Sequence, residues 1–465
     1  MRPRISGRST SGRSGASSAE LCGLVALAVV AVCVALAAPL VAIAAMCVAA
    51  AVAAAILSIR SIRWAWSIYF FALCANGLQV TVGGFTVRPE YAATPLFLLA
   101  LYAYAGREPS ARTRSPFIVG LISGSVGLVA VGLTSGMLFA PETAASLRMA
   151  VQLIVALIAV VPLTRVALDP RFVVRSGTAI LSAISTVSIV GFVLDPSTRV
   201  AGLAFEPNIM GCLCAGWIGV LYYFAGDGSV VTRQVVLLAA PIPVALILTT
   251  TRAAWIALAV VVVCVMGRNA ARYPVTIVCS LLAFTVGVAY LHDVYYRVGD
   301  ADTILWRVVH VIDIESGTGA YRLQLWNIAI DQIAARDWSA AIGTGFNTFP
   351  QFNPVDPTNV AAAYLSSMWL GLIYDVGFVG SAFFAVLAIS LFLGVRHKRH
   401  ALPLFIALAI CTSVTNVIWF AFPWVFMALT VTAARSGSSS ASEENDVRRL
   451  GHPHKRRRHR AAVAS

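Results

Sequence analysis

The chain has 465 residues, of which 59% are hydrophobic and only 12% charged, and its mean hydropathy is +0.83. Such values exclude an ordinary soluble domain, and without β-barrel alternation, transmembrane helices are the remaining way to satisfy the backbone in lipid. The net charge of +14 does not indicate nucleic acid, because much of it sits in two Ser/Gly/Arg-rich tails, MRPRISGRSTSGR at the start and HPHKRRRHR at 452–460.

The tails, 1–20 and 435–465, read as disordered and as cytoplasmic topology signals beside anionic lipid. A helix needs about 20 apolar residues to cross the hydrocarbon core, and runs of that order recur from Leu21 to Ala434. The tract from Leu21 reads as the first span and not as a signal peptide, since no clear cleavage site is followed by a soluble domain. Spans at 21–38 and 41–58 return the chain to Arg60 and Arg63; spans at 65–81 and 92–106 return it to Arg107, Arg112 and Arg114. Spans at 116–136 and 149–165 lead to Arg165, Arg171 and Arg175. Arginine thus falls on every second connection, which puts those connections inside the cell.

A span at 175–193 leads out to the loop DPSTRVAGLAFEPN, and 207–224 comes back. In LILTTTRAAWIALAVVVVCVM, spans 234–250 and 253–267 meet at an outer turn, TTTR, so Arg252 lies at a hairpin tip and not in the middle of one span. Arg268 and Arg272 follow inside, then a span at 274–290. The long connection 292–361 is too rich in aromatics, among them Trp306, Trp326, Trp338, Phe346 and Phe349, for a disordered loop. It is expected to form an extracytoplasmic module whose amphipathic helix, Tyr321 to Ala335, lies along the membrane. Spans at 365–393 and 401–431, the latter broken at AFP, complete the chain around the inside loop RHKRH. The expected fold is all-α, a polytopic bundle of about 12 to 14 spans, with transmembrane regions 21–291 and 362–434. The nine cysteines fall in or beside apolar segments and read as small buried hydrophobes.

Four features converge on the outer face: Glu206-Pro207-Asn208, Arg252, Arg322 with Trp326, and the segment from Ser366 to Gly380. Two arginines with few acidic neighbours suit a diphosphate, to which guanidinium offers bidentate, charge-assisted hydrogen bonds. No DxD pair, HExxH or ligand-spaced His/Cys cluster stands on that side, so neither a metal nor another cofactor is expected. Each residue also has a plainer reading. Arg252 suits a snorkelling boundary residue, Arg322 a solvated loop charge, Glu206 a helix cap before Pro207, and Asp375 a structural hydrogen bond. His292 and His310 have no recognisable partners.

These residues resemble the O-antigen ligase and polymerase superfamily of WaaL/Wzy-type membrane glycosyltransferases. TTTRAAWIALAV resembles that family's Ser/Thr-Arg-Gly/Ala-x-Trp helix start, and YRLQLWNIAI with IGTGFNTF its Arg-x-x-x-Trp and Gly-x-Gly-x-x-x-Phe. LSSMWLGLIYDVGFVG resembles the segment ending in Gly-x-x-Gly, and FEPNIMG an Asp/Asn/Glu-Pro-Asn helix start. The resemblance implies a GT-C-like enzyme taking a polyprenyl-diphosphate-linked glycan as donor and a glycan or lipid as acceptor. It gives Arg252 and Arg322 the diphosphate, Trp326 a packing role beneath the loop helix, and Asn208 and Ser366 supporting places. Ligases of the family usually carry histidine where this chain has Ser366, and a serine cannot replace imidazole as a general base at neutral pH. The candidates for that task are Glu206 first, then Asp375 and the loop carboxylate Asp356. A transporter or flippase of a lipid-linked or anionic solute, with helices broken at Pro241/Pro243 or Gly377/Gly380, is the second reading; a catalytically silent partner of other cell-envelope proteins is the third. The Arg-rich, Lys-poor, Ala/Val-rich composition resembles that of high-GC bacteria, which places the chain in a bacterial plasma membrane with both termini cytoplasmic.

Overall fold

A computed structural model describes residues 61–82, 85–105, 116–166, 168–195, 199–226, 230–269, 282, 286, 290, 317–353 and 364–431. All belong to one unit, Ser58–Ser465. The tails, the expected spans 21–38 and 41–58, most of 274–290, both loop histidines and Asp356 lie outside the described residues.

The architecture is that of an all-α polytopic membrane protein. Five described helices are long and apolar enough to cross a membrane: Pro116–Phe139, Thr143–Arg165, Pro170–Leu194, Pro207–Ala225 and Met368–Gly394. Shorter apolar helices stand at Ile62–Cys74, Arg233–Leu248, Arg252–Gly267 and Ala421–Val431. Their boundaries follow local chemistry. Asp169 caps Pro170–Leu194, its carboxylate accepting from the Arg171 N–H at 3.0 Å, and proline takes the first helical position, where no N–H is needed. Pro241 likewise opens Pro241–Leu248, which splits the expected span 234–250 into two short helices. Large apolar side chains such as Leu99, Val126, Val190, Val263 and Ile389 face outward, as a lipid-facing surface requires.

One expected span is shorter than predicted. The helix at Ile62–Cys74 stops well before 81, and Val80–Val82 pairs antiparallel with Phe85–Val87 in register Val80↔Val87. VTVGGFTV is apolar enough to extend a span, but its β-branched alternation around Gly-Gly favours a hairpin.

Contacts sort the connections onto two faces. Arg63 pairs with Asp169 at 3.8 Å, and Tyr222 lies against His400 with ring centroids 6.4 Å apart. On the opposite face the Asn76 carboxamide accepts from the Phe205 N–H at 2.9 Å, and Gln351 Oε1 accepts from the Glu142 N–H at 2.9 Å. This second face, which carries the helix Gly317–Ala334, is called the loop face below.

Among the described helices, Pro116–Phe139 and Met368–Gly394 pack together most extensively. A Cβ at Gly124 would stand 2.7 Å from the Leu387 backbone nitrogen, and one at Gly127 2.3 Å from the Phe383 ring. Small residues therefore let the two backbones approach, as helix association in lipid demands.

Candidate functional site

The TTTR turn lies on the loop face as expected. Thr249, Thr250 and Thr251 are buried between the helix ending at Leu248 and the one beginning at Arg252. Thr250 has φ 53°, a left-handed conformation costly for a β-branched residue, so neighbours must hold it. Arg199 does so. Its Nε donates to Thr250 Oγ1 at 2.8 Å and to the Thr249 carbonyl at 3.1 Å, and its Nη2 donates to the same carbonyl at 2.9 Å and to Asn208 Oδ1 at 3.2 Å. Asn208 Oδ1 also accepts from Thr251 Oγ1 at 3.2 Å, so it ties the start of Pro207–Ala225 to the turn. Trp255 Nε1 donates to the Ile247 carbonyl at 3.1 Å, so the tryptophan of the motif closes the hairpin it follows. Arg252 opens its helix at a held position.

Arg322 lies on the amphipathic helix, observed at Gly317–Ala334. Its partly buried guanidinium loses proton affinity through burial, regains some from the Glu206 carboxylate, and loses some to Arg252. Arg322, Glu206 and Arg252 thus share one electrostatic neighbourhood. Glu206 stands exposed at the N-terminus of Pro207–Ala225 without making a side-chain cap bond. Trp326 packs with Leu325, Ala329, Phe349 and Tyr374 in a small core that fastens the loop helix.

Asp375 lies elsewhere in the same face and is engaged structurally. Met368–Gly394 breaks at Gly377, whose φ of 62° and ψ of −165° leave the helical region. The loop Ala341–Thr348 fills the break. Gly345 N–H donates to the Asp375 carbonyl at 2.8 Å, Val379 N–H to the Ala341 carbonyl at 2.9 Å, and Asp375 Oδ2 accepts from the Asn347 N–H at 2.9 Å. A Cβ at Gly377 would stand 2.4 Å from the Ala341 oxygen, and one at Gly343 2.4 Å from the Asp375 backbone, so the first glycine of each motif serves this docking. Arg336 completes it, donating to the Tyr374 carbonyl at 2.9 Å with its guanidinium 3.9 Å from the Tyr374 ring.

Sequence reasoning missed Arg88, Glu90, Arg199 and Tyr364. Tyr364 donates to the Asn416 carbonyl at 3.0 Å. Burial pushes its phenol above the ordinary range, with Glu206 raising it, Arg88 lowering it and Asp375 raising it further. It thereby links the arginine neighbourhood to the broken helix. The adjacent opposite charges of VRPE at the start of an apolar run were the available signal for Arg88 and Glu90. Ser366 is buried, and its hydroxyl has no hydrogen-bond partner among the described residues. Among the described residues, no group of three or more His, Cys, Asp or Glu side chains could hold a metal ion.

Taken together, these features define a multi-pass helical membrane protein whose loop face carries a module docked into a broken helix, with Arg252 and Arg322 beside Glu206. Residues 235–385, which span the TTTR turn, the loop module and the helix break, match the family model described as O-antigen ligase, Wzy_C, and over these residues the chain is similar to that family. No curated protein matches the chain. The match associates this region, in general terms, with ligase- or polymerase-type glycosyl transfer.

Proposed function

We propose that the chain transfers a glycan from polyprenyl diphosphate to a hydroxyl of a second glycan or of a lipid, by polymerisation or ligation, on the extracytoplasmic side of a bacterial plasma membrane. The observation that carries this reading is the shared electrostatic neighbourhood of Arg252, Arg322 and Glu206, with both arginines inside the family-matched region. Arginine on the connections at 165–175 and 396–399, opposite the loop face, supports the orientation.

In this reading the acceptor oxygen attacks the anomeric carbon, forming the new glycosidic bond. The bond from that carbon to the diphosphate oxygen breaks, and its electron pair leaves with the polyprenyl diphosphate. Arg252 and Arg322 take up the developing charge, and the hydroxyl proton passes to Glu206. No metal is required for that division of labour. Asp375, whose carboxylate is held by Asn347, acts as a positioning residue through the loop it fixes.

The test is transfer by purified full-length protein from a polyprenyl-diphosphate-linked glycan. Glu206→Gln and Arg322→Ala should each lower turnover about a hundredfold or more, a loss typical of removing a general base or a charge-stabilising donor. Wild-type transfer by both variants would refute the assignment.

A further inference from the structure

A second polar group on the loop face is built differently from the arginine neighbourhood. Between Lys398–Val414 and Ala421–Val431 the chain leaves the helix, and around this unwound segment lie Arg88, Glu90, Ser366, Thr415, Asn416 and Trp419, each at most 9% exposed. They are mutually placed. Arg88 Nη1 donates to the Trp419 carbonyl at 3.4 Å, and Glu90 Oε1 stands 3.7 Å from Arg88 Nη1, beyond hydrogen-bond reach. Tyr364, two residues before Ser366, bonds the Asn416 carbonyl, and a Cβ at Gly371 would stand 3.1 Å from Asn416 Nδ2.

Hydrogen-bonding capacity in this cluster is left unused. Arg88 Nε, both Glu90 carboxylate oxygens, Ser366 Oγ, Thr415 Oγ1, Asn416 Oδ1 and Trp419 Nε1 have no hydrogen-bond partner among the described residues. A buried polar atom left in that state carries an unrecovered desolvation penalty, and so many around one segment call for a ligand or water to complete them. The chemistry of the set narrows the ligand. Arg88 and Glu90 cancel in charge, which disfavours a phosphate. The remaining groups mix donors with acceptors, and neighbouring hydroxyls, each able to give and to accept, satisfy such a mixture.

We propose that this cluster is a subsite for the hydroxyl groups of a neutral sugar, occupied by the acceptor glycan. It rests on the glycosyl-transfer reading, and it divides the loop face by charge. The cationic pair Arg252 and Arg322 holds the leaving diphosphate, while the neutral cluster holds the nucleophile's sugar. Tyr364 adjoins both, as its hydrogen bond to Asn416 and its response to Glu206 indicate.

The test measures binding of the free glycan, released from its lipid diphosphate by mild acid, to the purified full-length protein by tryptophan fluorescence. Wild type should bind it, and go on binding it when saturated with the intact lipid-linked donor. Ser366→Ala, Asn416→Ala and Glu90→Gln should each weaken binding about tenfold, the usual consequence of removing one good polar contact. Ser366→Ala guards against misfolding, since it deletes a hydroxyl with no partner to lose. No binding by wild type, unchanged affinity in all three variants, or displacement of the glycan by the donor would overturn the proposal. Binding of undecaprenyl diphosphate, which carries no sugar, reports separately on the underlying reading. It should weaken in Arg252→Ala and Arg322→Ala and persist in Ser366→Ala. Undiminished binding in both arginine variants would sink the diphosphate reading alone, and loss in Ser366→Ala would assign the cluster to the diphosphate and overturn the sugar subsite.

Discussion

Two turns on the loop face join antiparallel helices and differ in how their polar groups are satisfied. At Thr249–Thr251 each threonine side chain or carbonyl has a partner, and Arg199 and Asn208 bind several of them at once. At 415–420 Thr415 Oγ1, Asn416 Oδ1 and Trp419 Nε1 have none among the described residues, although these residues are similarly buried. A saturated network holds its own geometry and has nothing left to offer a ligand. An unsaturated one costs stability in the empty protein and recovers it on binding. The first turn is therefore a scaffold that presents Arg252, and the second offers its own atoms.

The contrast can be broken by mutation. The largest effect belongs to the arginine presented by the saturated turn: Arg252→Ala should reduce transfer about 10²- to 10³-fold with the thermal unfolding midpoint nearly unchanged, as removal of a charge-stabilising donor does. Gly377→Ala comes next. Its Cβ would meet the Ala341 oxygen, and the loop should undock, costing about 3 kcal/mol by unfolding in detergent and abolishing protection of the loop in amide hydrogen exchange. Arg199→Ala removes charged hydrogen bonds from the strained turn and should cost about 2 kcal/mol, with transfer falling only as the turn loosens. The smallest and most diagnostic pair is Asn208→Ala against Asn416→Ala. The first should cost about 1 kcal/mol, and the second should leave stability unchanged within about 0.5 kcal/mol, because its carboxamide oxygen has no bond to lose. Equal losses in the two would erase the distinction between the turns.

The five long described spans, the hairpin at Arg252 and the loop helix at Gly317–Ala334 were legible because each is a local pattern of apolar length, arginine spacing or helical period. The gathering of Glu206, Arg252 and Arg322 was legible from topology, since alternation alone assigned all three to one face. Arg88 was not, because its contact at Trp419 crosses 331 residues and leaves no periodic trace. Asp375 was visible as a charge in an apolar run, but its bond to the Asn347 N–H depends on a loop conformation that sequence does not display. Hydropathy also overran the chain at Cys74, since VTV and FTV are as apolar in a hairpin as in a span.

The break at Gly377 carries a consequence for biogenesis. The loop that fills it, 341–348, emerges from the ribosome before the helix it completes, and until Met368–Gly394 is inserted the loop N–H groups at Gly345 and Asn347 lack their acceptors on Asp375, and the Ala341 carbonyl lacks the Val379 N–H. The module is thus finished only after the last long helix has entered the membrane. A chain arrested before residue 368 would present Arg252 without a fastened Arg322, so the neighbourhood of Arg252, Arg322 and Glu206 is assembled only late in synthesis.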